Sequence, residues 1–553
     1  MNACRNDYKR LKRNISLLEN NEEALVAFRT MNTAMFMQLH HSINKRSKNP
    51  FVTDNEDNEE YYKTVKLEVE YKWRSFQLAF ILLNVDAFVK PDEDDKTVED
   101  VFGTGWPERN EISDLVWFPT GGGKTEAYLG IIAFTIALRR FTKGEEANGT
   151  AVLMRYTLRM LTLQQFQRAT MLIFALDVIR KDDFSLPNSL SLGNERITIG
   201  LFVGGDSLPN YWSQGDKSMV NELQKISNSV DKEAISTNLP FTDCPWCGGA
   251  LFIDDALPNV KPNHTGNYNI LDQLNISCNS DGCTFESPRS SAANSLPFRL
   301  FDEDIYKFPP TLLFGTVDKF AALANNVSTV PGVRNKDSRR LVGKGHDRNV
   351  LPPELIIQDE LHLLLGPLGS SVGLFEKSID YLCTYSDKDG NKIKPKIVTS
   401  TATTRNTDKQ IFALFNRRSE IFPKQGITCD DSFFAFYKRS EDNIEEYNSK
   451  RKYIGVLPIG KTQVWMQLRI ISITLSHRLK YFKEKYTIDE IFKTPEVLKD
   501  LKKVFDYYHT ILAYYNSLKD VGKAQSQLDH YLPGDINYVI KNTIPWSFLD
   551  ELI

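Results

Sequence analysis

Short apolar runs that alternate with longer helical patterns mark the chain from about residue 115 to residue 400. Each run is bounded by glycine, proline or aspartate, as strands buried on both faces of a parallel sheet usually are. The predicted strands are Leu115–Phe118, Ala151–Met154, Ile197–Val203, Thr311–Phe314, Leu355–Ile357 and Lys396–Thr399. The helical pattern between them is clearest over Glu126–Arg140 and Leu163–Arg180. The order of these elements predicts an α/β fold in which helices flank a parallel sheet.

Three stretches outside this pattern predict the domain organisation. Residues 1–70 are polar and helix-prone, and they predict a helical N-terminal region. Residues 71–435 form the predicted α/β lobe, within which residues 205–309 hold too few strands for their length and read as an insertion. After residue 436, the apolar segment Tyr453–Leu457 is a candidate for the first strand of another lobe, and it precedes helical material rich in leucine, isoleucine and tyrosine. We interpret residues 436–553 as the beginning of a second lobe.

Composition narrows the class of protein. Of the 553 residues, 41% are hydrophobic and 25% are charged, which is ordinary for a globular protein. The 68 basic residues nearly balance the 71 acidic ones, so a nucleic-acid partner would have to bind a local patch of positive charge. The longest apolar run, Leu129–Leu138, is about half as long as a membrane span. We therefore expect a cytoplasmic protein whose seven cysteines are thiols or metal ligands.

The strongest chemical signal is a glycine-rich segment between a predicted strand and a predicted helix. It runs from Pro119 to Thr125 and reads Pro-Thr-Gly-Gly-Gly-Lys-Thr. Glycines let the backbone turn so that its amides point at phosphate oxygens, while Lys124 would reach the β- and γ-phosphates and Thr125 would offer a hydroxyl to Mg²⁺. The predicted nucleotide-binding residues are Thr120, Gly121, Gly122, Gly123, Lys124 and Thr125. The alternative, a glycine turn with an incidental lysine, does not account for the strand, the glycines, Lys-Thr and the helix together.

The glycine-rich segment Pro119–Thr125, called the phosphate loop below, needs a carboxylate elsewhere in the chain to hold its metal ion. The apolar strand Leu355–Ile357 runs through Gln358 into two adjacent acids, Asp359 and Glu360. Asp359 at the tip of the strand is suited to hold hydrated Mg²⁺, and Glu360 is suited to polarise the attacking water. Two acids after an apolar run are by themselves a weak signal. Together with the phosphate loop, they predict that Lys124, Asp359 and Glu360 catalyse the hydrolysis of a bound nucleotide.

Three segments, in order along the chain, resemble motifs I, II and III of superfamily 2 helicases. They are Pro119–Thr125, Asp359–His362 and Ser400–Thr403. More specifically, the segments Trp117–Pro119, Glu126–Tyr128 and Arg155–Gln165 resemble the helicase component of the DISARM anti-phage system. The resemblance covers about residues 73–520. It implies a RecA-like P-loop lobe, ATP and Mg²⁺ as cofactors, nucleic acid as a partner and a role in antiviral defence.

Further site residues follow from the same resemblance. His362 is expected to couple the nucleotide and nucleic-acid sites, and Thr401, Ala402 and Thr403 are expected to link hydrolysis to movement of the bound strand. Gln77 would read the adenine base; the alternative is a solvent-facing amide on an apolar helix. The positions expected to touch the nucleic-acid backbone are Arg155, Thr157, Arg159, Gly205, Thr316 and Lys319. Small hydroxyls, glycines and helix N-termini suit phosphate contacts without base reading. DNA is favoured over RNA as the partner.

Two close pairs of cysteines predict a metal site inside the insertion. Cys244 and Cys247 form the first pair, and Cys278 and Cys283 form the second, each on a turn that contains glycine. Such pairs bring four thiolates to the tetrahedral spacing that Zn²⁺ prefers, and four thiolates leave no open position for water. The predicted zinc ion is therefore structural. The alternatives are disulfides, which a reducing compartment disfavours, and four unrelated cysteines.

The second lobe is expected to be incomplete. Helicases of this superfamily use a second RecA-like lobe whose arginines reach the nucleotide, and no Gln-x-x-Gly-Arg-x-x-Arg sequence follows motif III. We therefore expect a downstream chain to supply the rest of this lobe, alongside other subunits of the defence system. The leading interpretation is an ATP-dependent helicase or translocase, either an N-terminal part or half of a split enzyme. The alternative is a nucleic-acid-binding scaffold subunit that binds ATP and does not turn it over alone.

Overall fold

The chain divides by its contacts into two compact units, Met1–Phe436 and Tyr437–Ile553. The structure is a computed structural model. It describes residues 2–44, 72–90, 108–118, 121–157, 159–182, 186–187, 190–205, 208, 218–219, 221–222, 239–253, 276–280, 283–286, 295–325, 338–345, 348–401, 406–426, 428, 433–436, 453–485, 510–515 and 517–543.

A parallel sheet of eight strands forms the centre of the first unit. In chain order, the described strands are β1 (Ile112–Trp117), β2 (Val152–Tyr156), β3 (Ile199–Phe202), β4 (Leu251–Ile253), β5 (Ile276–Cys278), β6 (Phe298–Arg299), β7 (Leu312–Thr316), β8 (Lys344–Gly345), β9 (Arg348–Asn349), β10 (Leu355–Gln358), β11 (Tyr385–Ser386), β12 (Lys392–Ile393), β13 (Lys396–Thr401) and β14 (Arg418–Phe422). The sheet has the spatial order β14-β1-β13-β10-β2-β7-β3-β6, and its neighbours are parallel. The remaining strands form the antiparallel pairs β4–β5, β8–β9 and β11–β12.

The sheet confirms the α/β class that the apolar runs predict. All six predicted strands belong to it, with ends that shift by up to three residues. Two further strands lack an apolar signal in the sequence. β6 has only two residues, and β14 reads Arg-Ser-Glu-Ile-Phe because it is a partly exposed strand at the edge of the sheet. Edge strands tolerate polar residues, so hydrophobic patterning does not reveal them.

Helices cover both faces of the sheet. On one face lie α1 (Asn2–Asn20), α2 (Glu22–Asn44), α3 (Ser75–Leu83), α4 (Lys124–Lys143) and α5 (Arg159–Asp182). On the other face lie α6 (Asp302–Lys307), α7 (Ala321–Asn325), α8 (Gly366–Cys383) and α9 (Thr407–Phe415). Consecutive residues of β1 show the division, because Val116 packs into the first apolar cluster and Leu115 into the second. Since α2 packs against α4 and α5, the N-terminal helices share a layer with the helix that follows the phosphate loop.

Part of the predicted insertion, residues 205–309, lies within the sheet and its helical layers. β6 pairs with β3, and α6 packs Ile305 and Tyr306 into the second apolar cluster. Cys244 and Cys247 precede β4, Cys278 ends β5, and Cys283 follows it. The segment therefore returns to the α/β lobe before residue 298 rather than at residue 309.

Buried charges join α1 to the beginning of β1. Two carboxylates, those of Asp86 and Asp114, are almost fully buried. Their cationic partners are Arg10, Arg13, Arg109 and Lys396. Burial alone would raise the pKa of both carboxyls, but the neighbouring cations outweigh it and hold both pKa values below their usual range. The carboxylates therefore stay ionised and fasten the N-terminal helix to the sheet.

The second unit is described chiefly by two helices, α10 (Gln463–Lys485) and α11 (Leu518–Thr543), which pack together. The guanidinium of Arg469 lies 4.7 Å from the ring centre of Tyr538 and 5.8 Å from that of Trp465. The segment Tyr453–Leu457, predicted as a strand, has no strand partner within the described part of this unit. Among the described helices of both units, none combines the length and the apolar character that a membrane crossing requires.

Candidate nucleotide-binding site

The three helicase-like motifs meet at one edge of the sheet. β13 lies between β1 and β10, and the three strands run in the same direction. The phosphate loop follows β1, Asp359 and Glu360 follow β10, and Thr401 ends β13. Because the carboxyl ends of parallel strands meet at the same edge of a sheet, residues as distant in sequence as Lys124 and Thr401, 277 positions apart, come into contact.

The phosphate loop is fastened to α3 by side chains that bind its carbonyl groups. Gln77 donates from Nε2 to the carbonyl oxygen of Gly123 at 2.7 Å, and the Arg74 side chain donates to that of Gly122. Gly123 has a φ of +91°, and a Cβ there would lie 2.7 Å from Gln77 Nε2, so only glycine fits beside this amide. α4 begins at the next residue, and its N-terminus directs free amides at the site, as in sites that bind anions.

Gln77 is buried rather than solvent-facing, with 5% of its surface exposed. Its Oε1 accepts a hydrogen bond from the Arg74 backbone N–H at 2.9 Å, so both ends of the amide are engaged. The same side chain lines the cavity beside the phosphate loop. The alternative of an exposed amide on an apolar helix is therefore wrong, while the contact with adenine stays a prediction.

Lys124 points back into the turn. Its Nζ donates to the carbonyl oxygens of Phe118 at 3.0 Å and Thr401 at 3.3 Å, and the side chain is 8% exposed. The ammonium thus lies between the ends of β1 and β13, where carbonyl dipoles hold it without a competing carboxylate hydrogen bond among the described residues. A lysine held in this way keeps its charge available for the phosphates of a nucleotide.

Tyr128 connects the phosphate loop to the acidic motif. Its hydroxyl oxygen lies 3.1 Å from Thr125 Oγ1 and 2.9 Å from Asp359 Oδ2. The hydroxyl of Tyr156, on β2, lies 3.1 Å from the hydroxyl oxygen of Tyr128. Both tyrosines are about 1% exposed, and burial together with the nearby charge of Asp359 raises the pKa of each phenol well above 10. Both phenols are therefore neutral hydrogen-bonding groups at neutral pH.

A second chain of contacts runs from the acidic motif to the end of β13. Glu360 has a φ of +49°, and its backbone N–H donates to Asp359 Oδ1 at 2.9 Å. His362 Nδ1 lies 3.2 Å from Glu360 Oε2 and 3.2 Å from Thr401 Oγ1. Burial, and then the charge of Asp359, raises the pKa of the Glu360 carboxyl. His362 is therefore the bridge between motif II and motif III in this structure.

These residues surround one cavity of about 440 Å³, within the range of roughly 300–1,000 Å³ that is usual for small-molecule sites. Its lining brings together predicted and unpredicted residues. They are Leu39, Lys72, Arg74, Gln77, Gly121, Gly123, Lys124, Thr125, Glu126, Tyr128, Gln165, Arg168, Asp359 and Glu360. The sequence analysis missed Tyr128 and Arg168 as site residues. The spacing of Tyr128, three positions after Thr125, predicts a shared helical face, but it does not predict the contact with Asp359.

Two predicted nucleic-acid contacts lie in the interior, which corrects the sequence analysis. Arg155 is fully buried, forms an ion pair with Glu376 on α8 and has Phe320 and Phe415 beside its guanidinium. Thr316 is also fully buried, at the end of β7. Neither side chain reaches a phosphate backbone on the surface in this structure. The reason is that both belong to strands in the middle of the sheet, whose two faces are covered.

Other predicted nucleic-acid positions lie nearer the surface. Lys319 forms an ion pair with Asp302 at 2.8 Å, and Gly205 is a half-buried turn residue. Thr157 is half-buried and its hydroxyl has no hydrogen-bond partner among the described residues. Arg159 begins α5, and its side chain lies outside the description, as do Thr120, Ala402 and Thr403 altogether.

The four predicted cysteine ligands form one cluster. Cys244, Cys247, Cys278 and Cys283 place their sulfur atoms within 4.8 Å of one another, and none forms a disulfide. Tetrahedral Zn²⁺ with Zn–S bonds of about 2.3 Å requires sulfur atoms roughly 3.8 Å apart, so the cluster fits this ion. Backbone N–H groups support it further, because Gly249 donates to Cys247 Sγ at 3.3 Å and Ser280 donates to Cys278 Sγ at 3.4 Å.

The cysteine cluster packs against the helical layer of the lobe. Trp246, between the first two cysteines, stacks on His41 of α2 with ring centres 3.6 Å apart. Its carbonyl oxygen lies 3.2 Å from His41 Nδ1, and its ring also meets Phe285 edge to face. Burial lowers the pKa of His41 to about 3, so the imidazole is neutral where it stacks. The cluster is thus joined to the same helix whose Leu39 lines the nucleotide cavity.

Comparison with known proteins confirms the resemblance to a DISARM component. No family model matches the chain. The chain is 33% identical over 560 residues to the DISARM protein DrmA of Bacillus paralicheniformis, an alignment that covers 95% of this chain and 44% of that protein. It therefore spans less than half the length of this relative. Among solved structures, the DUF1998 helicase MrfA is similar at 11% identity and a TM-score of 0.33, over 86% of this chain and 45% of that one.

Proposed function

We propose that this chain, related to the DISARM protein DrmA over 95% of its length, carries the ATP-binding lobe of a superfamily 2 helicase or translocase in anti-phage defence. One observation carries the proposal: Lys124, Thr125, Asp359 and Glu360 line a single cavity of ligand size at the N-terminus of α4. A lysine, a hydroxyl and two carboxylates around free helical amides suit a magnesium-bound triphosphate and little else among common ligands.

Each residue has a role that its surroundings support. The loop amides and Lys124 would bind the triphosphate, and Thr125 and Asp359 would hold Mg²⁺, which neutralises phosphate charge when it is bound. Glu360, beside this carboxylate, would polarise the attacking water. His362 contacts both Glu360 and Thr401, so it is placed to carry a change at the phosphates into the end of β13.

A binding and turnover experiment tests the proposal. We expect the chain to bind ATP in the presence of Mg²⁺, and Lys124→Ala to weaken that affinity at least about a hundredfold because an unpaired triphosphate charge remains. Lys143→Ala is the matched control, since Lys143 ends the same helix on the exposed surface. Absence of ATP binding by the wild type, or equal affinity in the Lys124 variant, would contradict the proposal.

The same assay addresses turnover and the nucleic-acid partner. We propose that the chain hydrolyses ATP slowly alone and requires arginines from another lobe or subunit, with other defence subunits as further partners. DNA is the proposed nucleic acid. Measuring single-stranded DNA and RNA affinity with and without ATP separates this from a scaffold role, because a scaffold would bind nucleic acid equally in both conditions and in the Lys124 variant. Fast stimulated turnover by the isolated chain would contradict the need for a partner lobe.

We also propose that Zn²⁺ occupies the cysteine cluster as a structural ion. The sulfur geometry supports Zn²⁺, and four thiolates leave no open coordination position for a substrate. The ion would close the β4–β5 pair onto its turns and hold Trp246 against α2. This role contributes to folding rather than to chemistry.

A further inference from the structure

Tyr128 is the point where the phosphate loop and the acidic motif are joined by hydrogen bonds. It lies three residues after Thr125 on α4, so both side chains project from one face of the helix. Its hydroxyl oxygen is 3.1 Å from Thr125 Oγ1, 2.9 Å from Asp359 Oδ2 and 3.1 Å from the hydroxyl of Tyr156. The two groups it connects are those proposed to hold Mg²⁺.

Counting protons fixes the direction of these bonds. A phenol has one proton and two lone pairs, whereas an ionised carboxylate only accepts. The single proton of Tyr128 therefore goes to Asp359, so the Thr125 hydroxyl donates its own proton to the Tyr128 oxygen. The other carboxylate oxygen of Asp359 accepts the Glu360 backbone N–H at 2.9 Å. Each oxygen of this carboxylate thus accepts at least one hydrogen bond.

The hydrogen bond that Thr125 donates to Tyr128 determines where the Thr125 proton points. A threonine hydroxyl rotates, and its proton can point either toward a metal ion or away from it. When Tyr128 accepts the proton, the lone pairs of Thr125 Oγ1 are turned away from the Tyr128 oxygen, and Thr125 is one of the residues that line the cavity. A divalent cation is attracted to those lone pairs and would be repelled by the proton.

We propose that Tyr128 is a positioning residue for the magnesium of the nucleotide. It turns the lone pairs of Thr125 toward the metal and fixes the orientation of the Asp359 carboxylate through one shared hydroxyl. The inference rests on the proposed function, in which Thr125 and Asp359 hold Mg²⁺.

Two variants that each remove one hydroxyl test this role. In Tyr128→Phe, the concentration of Mg²⁺ that half-saturates binding of a fluorescent ATP analogue should rise about tenfold or more, the effect of losing one hydrogen bond to a charged group. Binding of the same analogue in excess chelator should stay unchanged, since the loop amides and Lys124 are intact. Tyr385→Phe makes the same chemical change outside the cavity, where the phenol donates to Glu354 Oε1 at 3.1 Å, and it should leave the magnesium dependence unchanged.

A further variant keeps the test informative if Tyr128→Phe unfolds. Thr125→Val keeps the shape of the side chain and removes its hydroxyl, so it should raise the half-saturating Mg²⁺ concentration at least as much. If Tyr128 acts mainly through Thr125, adding Tyr128→Phe to this variant should add little, and the two effects should not sum. Thermal unfolding of each variant without nucleotide reports any general loss of fold.

The outcomes separate the inference from the function on which it rests. A wild type whose nucleotide binding ignores Mg²⁺ would remove the proposed function. A wild type that responds to Mg²⁺ while Tyr128→Phe matches it would overturn the role of Tyr128 alone. Equal shifts in the two tyrosine variants, or fully additive effects of the Thr125 and Tyr128 variants, would likewise overturn it.

Discussion

At the scale of single residues, the nucleotide cavity contains a pair of opposite charges that belong to different helices. Arg168 on α5 forms an ion pair with Glu126 on α4, and both side chains line the cavity. They are 37% and 27% exposed, so solvent screens them only in part. The pair cancels a carboxylate that would otherwise stand two positions beyond Lys124, beside the phosphates. We therefore expect Arg168 to contribute to the proposed nucleotide binding through the charge that it neutralises as well as through its own.

Replacing Arg168 should weaken ATP binding about tenfold, because Glu126 is then left unpaired next to a triphosphate. Glu126→Gln alone should change the affinity less than about threefold. The double variant, which has neither charge, should recover most of the loss if the exposed carboxylate causes it. Equilibrium titration with a fluorescent ATP analogue at two salt concentrations measures this. An unchanged affinity in Arg168→Ala, or no recovery in the double variant, would rule the explanation out.

The residues that sequence patterns reveal differ physically from those that they hide. Lys124 and Asp359 stand in short local motifs, so their chemistry is visible without any contact map. Tyr128 reads as one more apolar position of a buried helix, and only the fold brings its hydroxyl to Asp359, 231 positions away. Arg155 reads as a cation available for phosphate, but Glu376 neutralises it from 221 positions away in sequence. A sequence motif does not record which distant partner is present.

At the scale of elements, α2 connects two sites that are distant in sequence. Its Leu39 lines the nucleotide cavity, and two positions later His41 stacks on Trp246 at the cysteine cluster. The turn around Cys244 and Cys247 is therefore a support for the end of this helix. Phe174 on α5 extends the same contact surface, with its ring centre 4.8 Å from that of Phe285.

Removing one zinc ligand should consequently affect more than the β4–β5 pair. We expect Cys278→Ser to bind no zinc and to unfold at a temperature several degrees lower, because three thiolates do not close the tetrahedral site. Cys4→Ser is the control, since Cys4 is exposed on α1, and it should keep one zinc ion per chain and the unfolding temperature of the wild type. Metal content by atomic spectroscopy and thermal unfolding check both. Full zinc content in Cys278→Ser would contradict the assignment.

The strands also show which elements hydrophobic patterning predicts and which it does not. The six inner strands were predictable because burial on both faces demands apolar residues in every position but a few. The exceptions inside them, such as Asp114 on β1, are tolerated because cations from other elements neutralise them. β14 at the edge was missed for the opposite reason, since its outer side is exposed. The apolar segment Tyr453–Leu457 misled the prediction, because its side chains are exposed and an apolar run alone does not supply a partner strand.

At the scale of the whole lobe, the proposed nucleotide-binding residues and the buried ion pairs lie at opposite ends of the central strands. The nucleotide residues follow the carboxyl ends of β1 and β10, whereas the buried charge cluster surrounds the beginning of β1. Asp86 is central to that cluster, with Arg10 and Arg13 from α1 and Arg109 around it. Three cations thus depend on a carboxylate that is 2% exposed.

Asp86→Asn should therefore destabilise the lobe by about 3–5 kcal/mol, because it leaves buried cations without their partner. Asp389→Asn removes a carboxylate paired with Lys90 at 2.6 Å, but that pair is 60% and 46% exposed and should cost roughly 0–1 kcal/mol. Since Arg10 and Arg109 hold the pKa of Asp86 below its usual range, its contribution is complete above about pH 4 and is lost as the pH falls through the folded pKa. The difference in unfolding temperature between wild type and Asp86→Asn should accordingly stay constant from pH 8 to pH 5 and shrink only in more acidic buffer. Equal losses in the two variants, or a difference that already disappears near pH 6, would show that the cluster does not anchor α1 as argued.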